Sequence, residues 1–401
     1  MQNVGIPWGD KWWLEKEKAW FCAGEINALF CVDMDSRKCE YIAKIPECSI
    51  HNSGAYPYCA KYENTIFCLP SWGKCIWCYD LDKSVWYKIE IGQDNQLLMY
   101  TNSYNQKNSK LWLLEDKTRN IYEINLKKKL IGKKYHISHD GNAEYCEYTL
   151  VQNKLYCVYD RIVYCVDMDN SDINQYEISC AKAALCTICY DGTNFWLSGY
   201  CKEIYVWNPD YGVVKVITDF PEQFGIYHFK GNELHLLDCD SFFCEKYHFF
   251  INSIFLGKYI WFIPFQSNEI IYIDKKTYKV HVLEIAEELE TWESLAERLV
   301  STKYYVEYIR DNRYIGLYSF KNQLVFEIDT VELKAENRNY ALSDEAIYAI
   351  KDEYIKSRAA FREKSKVEQQ LFNIALEDNR NKAEESFQNV GKLIYYSTVD
   401  N

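Results

Sequence analysis

Seven short aromatic strand pairs, each closing on Asp or Asn and recurring about every 49 residues, predict an all-β chain folded as a single β-propeller. Two further observations agree. Apolar and polar residues alternate with period two inside each pair, which is the strand period. After Ser343 the period changes to that of a helix, which predicts a C-terminal α-helical extension. The expected organisation is a propeller over 1–342, with a short helix near 285–300, and a helical extension over 343–401.

The strand pairs run in order. The first is Trp20-Phe21-Cys22 with Ala28 to Asp33, and the second Thr65 to Pro70 with Cys75 to Asp80. The third is Leu111 to Leu114 with Ile121 to Asn125, and the fourth Leu155 to Val158 with Val163 to Asp167. Phe195 to Ser198 with Ile204 to Asn208, Ile260 to Pro264 with Ile270 to Asp274, and Tyr314 to Tyr318 with Leu324 to Asp329 complete the set. The closing residues stand at 33, 80, 125, 167, 208, 274 and 329, with successive gaps of 47, 45, 42, 41, 66 and 55. Asp and Asn bond their own backbone two residues on and so start turns. One such meander cannot bury both faces, so neighbours must stack. Seven markers imply seven blades. An extra hairpin in the 66-residue gap, from Asn232 to Leu237 with Phe242 to Phe249, makes eight. A last repeat that only closes the ring with N-terminal strands makes six.

The repeats resemble β-propellers of the kelch-like kind found in Gram-positive bacteria. The segments that carry the resemblance are Tyr190 to Ser198 with Val206 to Asp210, and Gly257 to Pro264 with Tyr272-Ile273-Asp274. It covers roughly residues 19 to 330 and rests on repeat shape. No repeat contains the Gly-Gly doublet of kelch blades, nor a regular Gly-His and Trp-Asp pair of the WD40 type.

Two segments break the strand rhythm. Ile285, Leu289, Trp292, Leu295, Ala296 and Leu299 have helical spacing. Ser343 is the expected N-cap of a charged helical pattern, with Asp344 and Glu345 in its first turn. That pattern runs toward Val390, as one helix or two, and stops at Gly391. Leu393 to Tyr396 could add a strand.

Composition sets limits. The chain has 401 residues, a net charge of −12 and 16% aromatic residues. So many rings exclude a disordered chain. An acidic total argues against nucleic acid and anionic membrane as partners, because phosphates need clustered cations. The most apolar stretch, Phe249 to Phe265, is too short and too broken to span a bilayer. The 17 cysteines lie between Cys22 and Cys244, many inside apolar strands. They read as reduced structural thiols in a cytoplasmic protein.

Chemistry-bearing motifs are sparse. Cys75/Cys78 and Cys186/Cys189 are Cys-x-x-Cys pairs, but over a hundred residues separate them. Strand positions three apart also face opposite sides. His136 and His139 read as strand end and turn, and His228, His235 and His248 as ordinary core or surface histidines. No metal or cofactor is expected. The recurrent Asp residues read as turn formers.

The candidate binding residues lie where the second strand of a blade turns into the third. Such loops share one face of a propeller. They offer Trp72, Arg119, Arg161, Tyr200, Phe265, Gln266 and Tyr318. Exposed Trp, Tyr and Arg are the residue types of protein hot spots. The expected function is a non-enzymatic scaffold with a protein partner. A glycan-binding module using the same rings is the alternative, and a propeller hydrolase, lyase or cyclase with its site at the central channel a third. No fold by itself decides among them.

Overall fold

The computed structural model describes residues 4–9, 11–48, 54–71, 73, 75–91, 99–105, 109–115, 119–138, 147–230, 233–236, 248–285 and 302–357. The chain is mostly β, a seven-bladed propeller, with one short C-terminal helix among the described residues. Each blade is an antiparallel meander of consecutive strands, the topology that short turns between period-two segments dictate.

Blade one holds β1 (Trp13–Glu15), β2 (Lys18–Ala23), β3 (Ala28–Asp33) and β4 (Lys38–Lys44). Blade two holds β5 (Tyr58–Tyr62), β6 (Thr65–Leu69), β7 (Cys75–Asp80) and β8 (Val85–Glu90). Blade three holds β9 (Met99–Asn105), β10 (Lys110–Glu115), β11 (Asn120–Asn125) and β12 (Leu130–His136). Blade four holds β13 (Tyr148–Val151), β14 (Lys154–Tyr159), β15 (Ile162–Asp167) and β16 (Ile173–Glu177). Blade five holds β17 (Leu185–Tyr190), β18 (Phe195–Gly199), β19 (Ile204–Asn208) and β20 (Gly212–Ile217).

A two-stranded hairpin follows, β21 (Tyr227–Lys230) with β22 (Glu233–Leu236). It occupies the long gap between the fifth and sixth markers. Glu233–Leu236 pairs with the strand before it. A two-residue connection makes the preceding partner the nearer one. The expected partner segment, Phe242 to Phe249, lies outside the described residues up to residue 247, and Phe249 is buried in the adjoining core.

Blade six holds β23 (Phe250–Leu256), β24 (Tyr259–Pro264), β25 (Ile270–Asp274) and β26 (Val280–Leu283). Blade seven holds β27 (Tyr304–Arg310), β28 (Tyr314–Ser319), β29 (Leu324–Asp329) and β30 (Lys334–Asn337). Then β31 (Ala341–Leu342) adds in parallel to the outer edge of blade one beside β4. Helix α1 (Asp344–Ser357) starts as its sequence predicts, with Ala346 N donating to Ser343 Oγ at 3.1 Å. It packs on β4, where Lys44 pairs with Glu353 at 3.6 Å. The short helix expected near 285–300 and the rest of the extension, 358–401, fall outside the described residues.

The chain divides into two compact units. The first comprises 1–92, 323–325 and 337–401, with blades one and two, β31 and α1. The second comprises 93–322 and 326–336, with blades three to six and nearly all of blade seven. Within each unit the core lies between consecutive blades. Trp20, Cys22 and Leu29 pack with Ile66, Cys68 and Trp77 in the first. Trp196, Ile204 and Val206 pack with Ile260, Phe262 and Ile271 in the second. The inner strands are therefore buried on both faces, whereas an outer strand such as β16 keeps exposed residues.

The seven markers all do the same local work. Asp33 Oδ1 accepts from Asp35 N and Ser36 N, and Asp80 Oδ1 from Asp82 N and Lys83 N. Asn125, Asp167, Asn208, Asp274 and Asp329 cap their own turns likewise. The residue four places after every marker is left-handed: Arg37, Ser84, Lys129, Ser171, Gly212, Tyr278 and Leu333. Only the fifth of these is glycine. A left-handed L-residue costs about 1–2 kcal/mol, partly offset by the chain entropy that glycine loses on folding. Ser84 is exposed with φ 54°. Ser84→Gly is expected to raise stability by about 0.5–1 kcal/mol, and Ser84→Val to lower it, as read from urea midpoints.

The turn after each marker is also bonded to the turn between the first and second strands of its blade. Met34 N donates to Glu17 O, Leu81 N to Asn64 O, Met168 N to Asn153 O and Thr330 N to Arg313 O, at 2.8–3.0 Å. Pro209 has no N–H to give. Asn208 Nδ2 supplies the link instead, donating to Thr193 O at 2.9 Å. In blade five the side chain of Asn208 thus supplies the donor that Pro209 lacks. Asn208→Asp keeps the turn cap but removes the donor. It is expected to lower stability by about 1–2 kcal/mol, whereas Asp167→Asn in blade four costs less.

Turn carboxylates also set the acid limit. Backbone donors hold Asp33, Asp80 and Asp274 below the usual carboxylate range. Arg313, which binds both oxygens of Asp329, brings that group to about 2. A lowered folded pKa contributes stability above the unfolded value near 3.9, lost as pH falls through the folded value. The melting temperature is therefore expected to fall between about pH 4 and pH 2, less steeply in Asp329→Asn.

Candidate aromatic recognition face

The loops between second and third strands form a continuous series across blades three to seven. Arg119, after β10, lies over the Tyr159 ring of blade four at 5.4 Å. Asp160 O, after β14, accepts from Leu185 N at 2.7 Å where blade five begins. Tyr200 N, after β18, donates to Ala184 O at 3.0 Å. That approach requires the glycine at 199, since a Cβ there would stand 1.9 Å from Ala184 O. The Tyr200 ring meets His248, which precedes blade six, with centroids 3.9 Å apart. His248 in turn meets Phe265, after β24, at 5.3 Å, and its carbonyl accepts from Gln266 N. Phe265 O accepts from Lys303 N, and Lys303 O from Phe320 N in blade seven.

The series joins Arg119, Tyr200, Phe265 and Gln266 at one end of the blades. Arg161 is exposed on the same series, its carbonyl accepting from Ile178 N. Tyr318 differs. It lies inside β28 and is 1% exposed, so its ring belongs to the core rather than to the surface of a loop. β28 extends to Ser319 and is buried on both faces, so a residue read as the start of the loop is packed within the blade. Trp72 lies outside the described residues.

Three half-buried rings, Tyr200, His248 and Phe265, form the centre of this face. Burial lowers the His248 pKa to about 4, so its imidazole is neutral at pH 7. Two residues after Tyr200, Lys202 Nζ sits 5.8 Å from the Phe220 ring and 5.7 Å from Phe224. Phe220 and Phe224 are stacked at 5.4 Å. Phe224 is fully buried and Phe220 half-buried. The patch combines apolar rings with one cation held over a ring face, a geometry worth about 0.5–2 kcal/mol by itself.

The nearby thiol is quiet. Cys201 lies 3.9 Å from Glu203 Oε2, and burial and that carboxylate push its pKa up to about 11. Glu203 is occupied by Lys182 and Tyr205. A thiol that stays protonated at neutral pH is a poor nucleophile.

The other motifs resolve into structure. Cys75 and Cys78 lie on β7, and Cys186 and Cys189 on β17. His136 is on β12 with Nδ1 3.2 Å from Asn120 Oδ1, and His139 lies outside the described residues. Among the described residues no three His, Cys, Asp or Glu side chains are grouped to hold a metal ion. No described helix is long and apolar enough to cross a membrane. His248 is the site residue that sequence reasoning passed over. Its only signal is a position just before β23, which brings it beside the preceding blade's loop.

The chain matches no family model, and no curated protein matches it in sequence. Solved structures do share the fold. A catalytically inactive virginiamycin B lyase from Staphylococcus aureus, crystallised with quinupristin, aligns with a TM-score of 0.55 at 13% identity, over 81% of this chain and 95% of that one. A chain of the mitotic checkpoint complex aligns at 0.52 and 11% identity, over 80% and 88%. The structure of U3-55K aligns at 0.53 and 6% identity, over 80% and 89%. At these identities the likeness is one of fold.

Proposed function

We propose that the chain is a non-enzymatic interaction scaffold, a kelch-like propeller of the cytoplasm that holds a protein partner on the face centred on Tyr200, His248 and Phe265. The observation that carries the reading is the convergence of three half-buried rings from separate segments. They stand at the end of the blade sheets, and Lys202 follows Tyr200 on the same loop, over the rings of Phe220 and Phe224. Pre-ordered rings lose little conformational entropy on binding, and such residues dominate protein interfaces. The neighbouring thiol is protonated and Glu203 is already paired, which favours binding over nucleophilic chemistry at this face. The free thiols of the described cysteines suit a reducing compartment.

Quantitative affinity purification from the native cytoplasm tests it, comparing wild type with Tyr200→Ala/Phe265→Ala and with Tyr211→Ala. Tyr211 is 83% exposed in the turn after marker 208, at the other end of the blade. A partner whose capture falls about 30-fold in the double variant and stays unchanged in Tyr211→Ala supports the proposal. Equal capture by all three overturns it. The second reading, a glycan on the same rings, is favoured instead if a glycan array gives a signal that the double variant loses.

A further inference from the structure

Cys59 and Cys68 stand directly opposite each other on β5 and β6. The turn between these strands has two residues, Glu63 and Asn64, and the register runs Tyr62↔Thr65, Lys61↔Ile66, Ala60↔Phe67, Cys59↔Cys68. The residues flanking a two-residue hairpin turn exchange hydrogen bonds, and bonded and non-bonded pairs alternate from there. Counting from the turn, Cys59 and Cys68 form a non-bonded pair. Such pairs have Cα atoms about 4.5 Å apart with both side chains on one face, within the 4.4–6.8 Å range of disulfides.

The surroundings suit a pair held in reserve. Both thiols are free and lie in one buried cluster with Cys22, Cys31 and Cys75. Cys59 is 8% exposed and Cys68 fully buried. Cys59 Sγ donates to Trp20 O at 3.0 Å. Burial raises both pKa values and keeps the sulfurs protonated. β5 is an edge strand that pairs in its sheet with β6 alone, so an oxidant reaches the two thiols when β5 parts from the cluster around Trp20 and Cys22, a local opening that leaves the β6–β7 pairing in place.

We propose that Cys59 and Cys68 are a latent disulfide site, closed by a two-electron thiol oxidant of the diazene class. Two S–H bonds break and one S–S bond forms. Two protons and two electrons pass to the N=N bond of the oxidant, which becomes a hydrazine. The cross-link pins the edge strand of blade two to its neighbour and restricts the unfolded chain over a short loop. This modification is separate from the recognition face, so either can fail alone.

The test uses the full chain carrying Cys180→Ser, which removes an exposed thiol, treated with diamide under native conditions. Alkylation and non-reducing peptide mapping then locate the bonds. The expected result is a Cys59–Cys68 linked peptide, two hydrogens lighter than the reduced pair and released by dithiothreitol. The melting temperature rises by about 2–5 °C. Cys68→Ser abolishes the link. If that variant does not fold, the map of the parent chain still decides. Linkage of either residue to Cys22, or both thiols remaining alkylatable after prolonged oxidation, overturns the proposal.

Discussion

Replacing Glu147 by alanine is expected to lower stability by about 3–5 kcal/mol, because four buried donors lose one charged acceptor together. Glu147 is 5% exposed and lies just before β13. Its Oε2 accepts from Ile188 N at 3.0 Å, Ser253 N at 3.1 Å and Ser253 Oγ at 3.1 Å. Its Oε1 accepts from Asn252 Nδ2 at 3.0 Å. The donors come from β17 and β23, so one carboxylate fastens the lead into blade four to blades five and six. Alanine leaves all four donors buried without this acceptor, and each such loss costs about 1–3 kcal/mol before relaxation. Glu147→Gln is the discriminating control. Its single carbonyl oxygen can take the three-donor position. Asn252 can then turn its amide to accept from the new NH₂ group, limiting the cost to about 1 kcal/mol. Urea denaturation of both variants checks this. Equal losses would mean that the site depends on negative charge rather than on acceptor geometry.

Asp191→Ala is expected to cost about 2–4 kcal/mol. Asp191 Oδ1 accepts from Thr193 N and Asn194 N, both at 2.8 Å, and closes the turn between β17 and β18. Gly192 in that turn has φ 95°, a conformation only glycine adopts without strain. Oδ2 accepts from Trp196 Nε1 at 2.9 Å, and Trp196 is completely buried. Alanine therefore removes a turn anchor and orphans a buried indole N–H together. Asp191→Asn separates the two losses. Its oxygen can keep the turn, but its NH₂ faces the indole N–H, donor against donor. About half of the alanine penalty is expected to remain, with the Trp196 indole resonance moved in a proton–nitrogen spectrum. An unmoved resonance would show that the indole does not depend on this oxygen.

The two predictions differ in how far sequence anticipates them. Asp191 stands in an Asp-Gly-Thr-Asn turn between two apolar runs, and its turn-forming role is legible from local chemistry. Glu147 has no such sign. It is one of many carboxylates in a polar connection, and its partners lie 41 and 106 residues away.

What the sequence by itself determined was local. Period-two alternation set the strands, and the marker residues set the turns at one end of every blade. Ser343 set the start of the helix, and the count of markers pointed to seven blades while leaving six and eight open. Each follows from backbone preferences acting over a few residues. Tertiary structure decided the rest. It paired Glu233–Leu236 with the strand before it, put Tyr318 in the core, and placed His248 between the rings of Tyr200 and Phe265. It also gave Glu147 its donors. Those outcomes depend on which blade stacks beside which, and at what register. Contacts across a stack join residues that no short window of sequence places together.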